Sequence, residues 1–113
     1  MSVYTIGSNT EGRLGIGDTS IKYSSSPCLL EGLRATSINC GWGHTAVITE
    51  AHEVYAWGVG EFGALGNGSM ESQWTPMKME TEIHATAISC GSRHTAILDR
   101  HSRLLTCGAG DAG

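Results

Sequence analysis

A block of about fifty residues occurs twice in this chain and begins a third time. Val3-Tyr4-Thr5-Ile6-Gly7 returns 51 residues later as Val54-Tyr55-Ala56-Trp57-Gly58, and again as Leu104-Leu105-Thr106-Cys107-Gly108. Residues 35–48 and 85–98 share the pattern Ala-Thr-x-Ile-x-Cys-Gly followed by His-Thr-Ala. Self-similarity at such a period predicts stacked structural repeats, because one short repeat cannot bury its apolar face alone.

Each copy has the pattern of short strands separated by glycine-rich turns. The shared runs are rich in β-branched and aromatic residues and are bounded by glycine, as strands are. A further strand is expected around residues 27–30 and 76–79, with Pro27 and Pro76 at its start or on an outer edge. No window carries the 3.6-residue period of an amphipathic helix. We therefore expect an all-β fold in which each copy supplies the four strands of one β-propeller blade.

The linked motifs resemble the regulator of chromosome condensation repeat. They are Gly-x-x-x-x-Gly-x-Leu-Gly-x-Gly, a proline, Cys-Gly-x-x-His-Thr and Val-Tyr-x-Trp-Gly. The resemblance implies a propeller of seven antiparallel four-stranded blades, with the sequence repeat out of phase with the blade. It divides the chain into repeats at 1–51 and 52–101 and the start of a third at 102–113.

The same phase predicts a partial propeller with one complete blade, residues 35–79, and two incomplete ones. Two strands belong to a preceding blade and three to a following blade. Seven blades need roughly 350 residues at this repeat length. We therefore expect the chain to be a segment of a larger propeller, with the remaining blades in the same chain or in other chains.

Several motifs suggest chemistry but lack what that chemistry needs. Gly58-Val59-Gly60-Glu61-Phe62-Gly63 matches a dinucleotide fingerprint, yet the glycines that follow exclude the helix that a phosphate site requires. His44 and His94 each follow Cys-Gly-x-x, but equal positions of two blades lie a blade apart, which disfavours a shared zinc site. We expect these histidines to hydrogen-bond the backbone at their turns, as the resemblance also implies.

A hydrolytic triad is not predicted either. Ser92, His94 and Asp99 are present without a Gly-x-Ser-x-Gly nucleophile elbow.

Trp42 stands in Gly-Trp-Gly-His-Thr, close to the tryptophan motif of plant ultraviolet photoreceptors, but one such residue cannot form a cluster. Trp57 is better interpreted as a strand aromatic that packs between blades. No catalytic, cofactor-binding or metal-binding residue is predicted, and the chain is not expected to be an enzyme.

Charge and composition limit the classes of partner and the compartment. The net charge is −4 with no basic run, so direct nucleic-acid binding has no evident electrostatic source. No apolar run reaches the ~18 residues of a membrane span. Four cysteines occur without a Cys-x-x-Cys pair, and the first residues lack the pattern of a signal peptide. These features favour a cytoplasmic or nuclear protein with free thiols.

Residues free to bind a partner lie between the shared blocks, where loops at the rim of a rigid scaffold usually carry recognition. Mixed aromatic and polar side chains select the candidates Ile21, Lys22, Tyr23, Met70, Gln73, Trp74, Arg100 and Arg103. The sequence therefore predicts a protein–protein interaction scaffold within a larger intracellular protein or assembly. The alternative is guanine-nucleotide exchange on a small GTPase, the activity of the family's founding member, which needs differential binding and no catalytic group.

Overall fold

The computed structural model describes residues 1–60, 65–66, 71–79 and 83–108 of the chain. Within these residues, eight strands follow one another: β1 (Ser2–Ser8), β2 (Tyr23–Cys40), β3 (His44–Thr49), β4 (Val54–Gly58), β5 (Gln73–Lys78), β6 (Ala85–Cys90), β7 (His94–Asp99) and β8 (Leu104–Gly108). A 3-10 turn, Thr10–Gly12, follows β1. Neighbouring strands pair antiparallel in two sheets, β1-β2-β3-β4-β5 and β6-β7-β8.

The sheets resolve into one complete blade and two incomplete ones. The first blade consists of β1 and the beginning of β2, which pair from Val3 with Leu30 to Ser8 with Tyr23. The second blade consists of the end of β2 with β3, β4 and β5, and the third of β6, β7 and β8. The predicted all-β partial propeller is confirmed, with four antiparallel strands in the complete blade.

One detail of the strand prediction is wrong. Separate strands were expected at residues 27–30 and from residue 35, whereas β2 runs through both without a break in strand structure. The pairing partner shifts from Leu30 for Val3 to Arg34 for Ser2, so residues 31–33 form an irregularity. Gly32 has a φ of +79°, a conformation that glycine adopts at no steric cost. This irregularity lets the strand leave one blade and enter the next directly.

Alternating side chains of the second blade bury two separate cores. Val47 and Trp57 face the first blade and pack with Val3 and Leu30. The intervening residues face the third blade, in a core that comprises Ala46, Ile48, Val54, Ala56, Leu65, Met79, Ala85 and Ile97. Period-two alternation therefore gives the complete blade an apolar layer on each side. Trp57 is fully buried between two blades, as expected from the sequence.

Candidate functional site

The turns of the blades lie at two opposite rims, because antiparallel strands alternate in direction. We call residues 9–22, 41–43, 59–60, 71–72 and 91–93 the glycine-loop rim. We call residues 31–34, 49–53, 83–84 and 99–103 the hairpin rim. A Cβ on Gly41 would meet the carbonyl oxygen of Gly91, which places two turns of the first rim side by side. At the second rim, the Ala85 N–H donates to the carbonyl of His52 at 3.1 Å.

Asn9 organises the loop after β1 from inside. Its side chain is 1% exposed, and its Nδ2 donates to the carbonyl oxygens of Asp18 (3.1 Å) and Ile21 (2.7 Å). Its Oδ1 accepts the Leu14 N–H at 3.2 Å. A buried amide with these bonds holds a long loop in one conformation. The sequence did not reveal this role, because the aligned residue of the second copy is Gly60.

The same loop docks onto the second blade through close backbone contacts. The Gly17 N–H donates to the Trp74 carbonyl at 2.7 Å, and the indole Nε1 of Trp57 donates to the Arg13 carbonyl at 3.0 Å. Gly12 has a φ of +86°, and a Cβ there would collide with the backbone of Gln73. Part of the predicted partner-binding set therefore already contacts the neighbouring blade.

Ile21, Lys22 and Tyr23 are exposed at the glycine-loop rim. The Lys22 carbonyl accepts the Asn9 N–H at 2.9 Å, so this segment is anchored to the loop. Tyr23 pairs with Ser8, and the corresponding position of the second blade is Ser72. The Ser72 hydroxyl donates to Glu11 of the first blade's loop at 3.3 Å, so Tyr23 occupies a position that can contact a neighbouring blade.

The rest of the predicted set is distributed between the rims. Gln73 and Trp74 are half-buried at the start of β5, against the glycine loop. Met70 lies outside the described residues. Arg100 and Arg103 lie at the hairpin rim, at the other end of the blades. The structure therefore does not bring the eight predicted residues into one site.

Trp42 is the most exposed tryptophan that the structure describes, with 71% of its surface accessible. It lies in the short turn between β2 and β3. The guanidinium carbon of Arg13 lies 4.8 Å from the centroid of its ring, within cation–π range. A large aromatic is thus held at the glycine-loop rim with most of its surface open to a partner.

His44 joins two blades through its side chain, which makes a backbone hydrogen bond at His94 of the third blade and a further contact with a side chain of that blade. Its ring Nε2 lies 2.8 Å from the Thr95 hydroxyl oxygen of the third blade, and both residues are buried. Burial and the nearby His94 hold the pKa of His44 below the ordinary 6.5. His94 is exposed at the equivalent position of the third blade. The His44 side chain therefore links the second blade to the third.

The cysteines that end β2 and β6 differ in environment. Cys40 is exposed, whereas Cys90 is partly buried and its N–H donates to the side-chain Oδ1 of Asn39 at 2.8 Å. Burial raises the pKa of Cys90 to about 11, with a contribution from the neighbouring Cys40 and Cys107. A thiol with such a pKa is protonated at neutral pH and unreactive as a nucleophile.

At the hairpin rim, a buried carboxylate shapes the turn between β7 and β8. Asp99 is 3% exposed and accepts the N–H groups of His101 and Arg103, both at 2.9 Å. Its second oxygen accepts the Arg103 Nε at 2.7 Å. Burial opposes ionisation, but these bonds outweigh it and lower the pKa of Asp99 below 3.8. The turn is therefore fixed by an ionised residue in its own first position.

Two histidine rings stack beside this turn. The centroids of His52 and His84 lie 3.6 Å apart with an interplanar angle of 22°. The Arg100 N–H donates to the His84 carbonyl at 3.1 Å, which ties the turn to the preceding segment. Partial burial, together with the nearby His52, Arg100 and His101, lowers the pKa of His84. A cavity of about 300 Å³ opens here.

An acidic groove of about 450 Å³ lies at the same rim, between the first and second blades. Its carboxylates come from Glu31, Glu50 and Glu53, and Tyr55 adds an aromatic wall. Lys78 pairs with Glu53 at 2.7 Å. Arg34 also lines the groove, and the Met1 ammonium lies 3.8 Å from Glu50. The hairpin rim therefore carries a groove with three carboxylates beside a cavity with two arginines.

The described residues offer neither the considered triad nor a metal cluster. His94 begins β7 and Asp99 ends it, so the two side chains are separated by the length of the strand. In the described ranges, no three His, Cys, Asp or Glu side chains are grouped to hold a metal ion. In the same ranges, no helix has the length and apolarity to cross a membrane. The fingerprint at residues 58–63 lies partly outside the described chain.

Comparison with known proteins agrees with the blade geometry. The chain is 39% identical over 75 residues to the Arabidopsis thaliana mitochondrial RCC1 domain-containing protein RUG3, and 36% identical over 76 residues to the Ultraviolet-B receptor UVR8 of the same plant. Each match covers 66% of this chain and 17% of the relative, so the chain spans about a sixth of these proteins.

The crystal structure of Saccharomyces cerevisiae Prp20p, described together with its binding to Gsp1p and histones, superposes with a TM-score of 0.83. The match covers 97% of this chain and 30% of Prp20p, at 17% sequence identity, and therefore supports the fold alone. The family model described as the regulator of chromosome condensation (RCC1) repeat matches residues 2–48 and 51–98. With its blades built from these two repeats, the chain belongs to the RCC1 repeat family.

Proposed function

We propose that this chain is a protein–protein interaction scaffold that forms part of a larger propeller. Its repeats are divided as 1–51, 52–101 and 102–113, with further blades in the same chain or in other chains. The observation that carries the proposal is the exposure of Trp42, 71% accessible at a rim and held over Arg13. Tryptophan and arginine are the residues most enriched at the energetic centres of protein interfaces.

The remaining motif residues support this proposal because the propeller itself uses them. His44 fastens two blades, Asn9 fixes a loop and Trp57 fills a core. Recognition is left to side chains at the rims, as in other rigid scaffolds. Protein partners in a cytoplasmic or nuclear setting remain our expectation. RUG3 is named as mitochondrial, so membership of the family does not fix the compartment.

Site-specific photo-crosslinking tests the proposal. A photoreactive amino acid at position 42 should capture a discrete protein in cells, whereas the same group at position 77 should not. Met77 is a control because it is 40% exposed in β5, the edge strand of the second blade, and pairs with Ala56 in the middle of that blade. With the captured protein purified, Trp42→Ala should weaken its binding by about tenfold or more. Equal binding by the variant would contradict the proposal.

Guanine-nucleotide exchange on a small GTPase is the second candidate. It is supported by the fold likeness to Prp20p, which was described with its binding to Gsp1p. Exchange requires only that the factor bind the nucleotide-free GTPase better than the nucleotide-bound one. A nucleotide-release assay with a panel of GTPases tests it. No acceleration at high protein concentration would remove this candidate.

A further inference from the structure

Basic side chains converge on the cavity at the hairpin rim. The cavity of about 300 Å³ is lined by Ile83, His84, Asp99, Arg100, His101 and Arg103. With His52, it gathers three of the five histidines and two of the seven Lys/Arg side chains of a chain whose net charge is −4. Such a local excess of basic groups in an acidic chain needs an explanation.

The blade scaffold does not require these basic residues. Arg100 and Arg103 occupy the second and fifth positions of their turn, between β7 and β8. The same positions of the turn between β3 and β4 are Glu50 and Glu53. Both turns keep the same backbone form, since His52 and Ser102 have φ values of +63° and +62°. The positive charge is therefore a property of this cavity and not of the repeat.

The cavity is also built rigidly. The Arg100 N–H donates to the His84 carbonyl, and His84 stacks on His52 of the neighbouring blade. Asp99 is buried and directs its carboxylate into its own turn, where it accepts three hydrogen bonds. The exposed guanidinium of Arg100 and the imidazoles of His84 and His101 remain as donors at the cavity. Preorganised donors reduce the ordering cost of binding.

We propose that this cavity binds the carboxylates of an acidic segment of a partner protein. The proposal rests on the proposed interaction function and names the chemistry of one of its surfaces. A protein segment fits better than a nucleic acid because the chain has a net charge of −4 and its basic groups gather at one cavity. Such a chain repels a uniformly negative backbone, whereas a protein can present acidic residues to the cavity and basic or apolar residues around it.

Fluorescence anisotropy with a fluorescein-labelled hexaglutamate peptide tests the proposal. The intact protein should bind saturably at low salt, and Arg100→Glu should weaken binding by at least about tenfold. Arg34→Glu is the matched control, because it makes the same change of charge at the acidic groove of the same rim. It should change the affinity by less than about twofold. Arg100→Gln should give an intermediate loss, which separates lost attraction from introduced repulsion.

Each other outcome overturns the proposal. Absence of saturable binding, or equal losses in the two charge-reversal variants, would show that net charge and not the cavity attracts the peptide. Binding of inorganic phosphate without binding of the peptide would assign the cavity to a free anion. Binding of an RNA oligonucleotide in preference to the peptide would assign it to a nucleic acid. The proposed function is tested separately at Trp42, so these failures would leave it in place.

Discussion

His44 of the second blade and Thr95 of the third blade are joined side chain to side chain, with 2.8 Å between Nε2 and the hydroxyl oxygen. Both residues come from the same His-Thr pair of consecutive repeats. The histidine of one copy therefore contacts the threonine of the next copy. The same two-residue motif thus supplies both sides of a contact between neighbouring blades. The ring also packs closely over Gly41, where a Cβ would lie 2.8 Å from its Cε1.

Substitution of this histidine should weaken the stack. His44→Ala leaves the buried Thr95 hydroxyl without this partner and should lower the free energy of unfolding by about 1–3 kcal/mol. Urea denaturation followed by circular dichroism measures the change. His94→Ala is the control at the same repeat position, where the side chain is exposed. A loss for His94→Ala as large as that for His44→Ala would contradict the role assigned to His44.

Stability should fall on mild acidification. The pKa values of His44 and His84 lie below their ordinary 6.5, by burial and by nearby positive groups. The folded protein therefore takes up these protons less readily than the unfolded chain, so stability is fully present above pH 6.5 and declines as pH falls below it. Urea titrations at about pH 7.5, 6.5 and 5.5 measure this. His44→Gln should flatten the slope, and an unchanged slope would refute the contribution of His44.

Truncation of Trp57 should lower the free energy of unfolding far more than truncation of Trp42. Trp57 is fully buried between blades, so Trp57→Ala should cost about 3–5 kcal/mol. Trp42 is 71% exposed and contacts the Arg13 guanidinium, so Trp42→Ala should cost less than about 1 kcal/mol. The free energies of unfolding of both variants test this difference. Comparable costs would mean that Trp42 belongs to the fold and not to the exposed rim.

Alanine substitutions at Gly15 and Gly32 distinguish the effect of backbone strain from that of a steric collision. Both have positive φ, +70° and +79°, so alanine is strained at either site by about 1–2 kcal/mol. Only at Gly15 would the added Cβ also lie 2.8 Å from the Trp57 indole nitrogen, since nothing lies within 4 Å at Gly32. Gly15→Ala should therefore destabilise by at least about 1 kcal/mol more than Gly32→Ala in thermal unfolding. Equal effects would exclude a close approach between this loop and Trp57.

The fold could be predicted because the spacing of the repeats marks where equivalent strands begin and end. Glycines at Gly7 and Gly58, 51 residues apart, mark equivalent strand ends, and Trp57 shows the burial expected of its strand. The continuity of β2 could not be predicted, since the Glu31-Gly32 step has the composition of a turn but forms an irregularity within a strand. Local composition does not reveal whether a segment that passes from one blade to the next forms a turn or remains a continuous strand.

The candidate site was less accessible to sequence reasoning, for a physical reason. Arg100 and Arg103 were selected from their turn, but His84 reaches them through the pairing of β6 with β7, and His52 reaches His84 through the stacking of blades. Asn9 acts within its own loop, yet its aligned residue is Gly60, so repetition gave no signal. Aligning one repeat with the next compares equivalent positions only. It therefore does not reveal a contact between residues that occupy different positions of their repeats.

The cysteines give a test of the packing between the second and third blades that needs no substitution. Burial, with Cys40 and Cys107 nearby, raises the pKa of Cys90 to about 11, so about one molecule in a thousand carries its thiolate at pH 8. Cys40 ends its strand with an exposed side chain. Iodoacetamide at pH 8 should therefore modify Cys40 at least about ten times faster than Cys90, as measured by peptide mass spectrometry. In concentrated urea the two rates should converge, because both the burial and the neighbouring thiols are then lost. Equal rates in the folded protein would mean that the third blade separates from the second readily enough to expose Cys90.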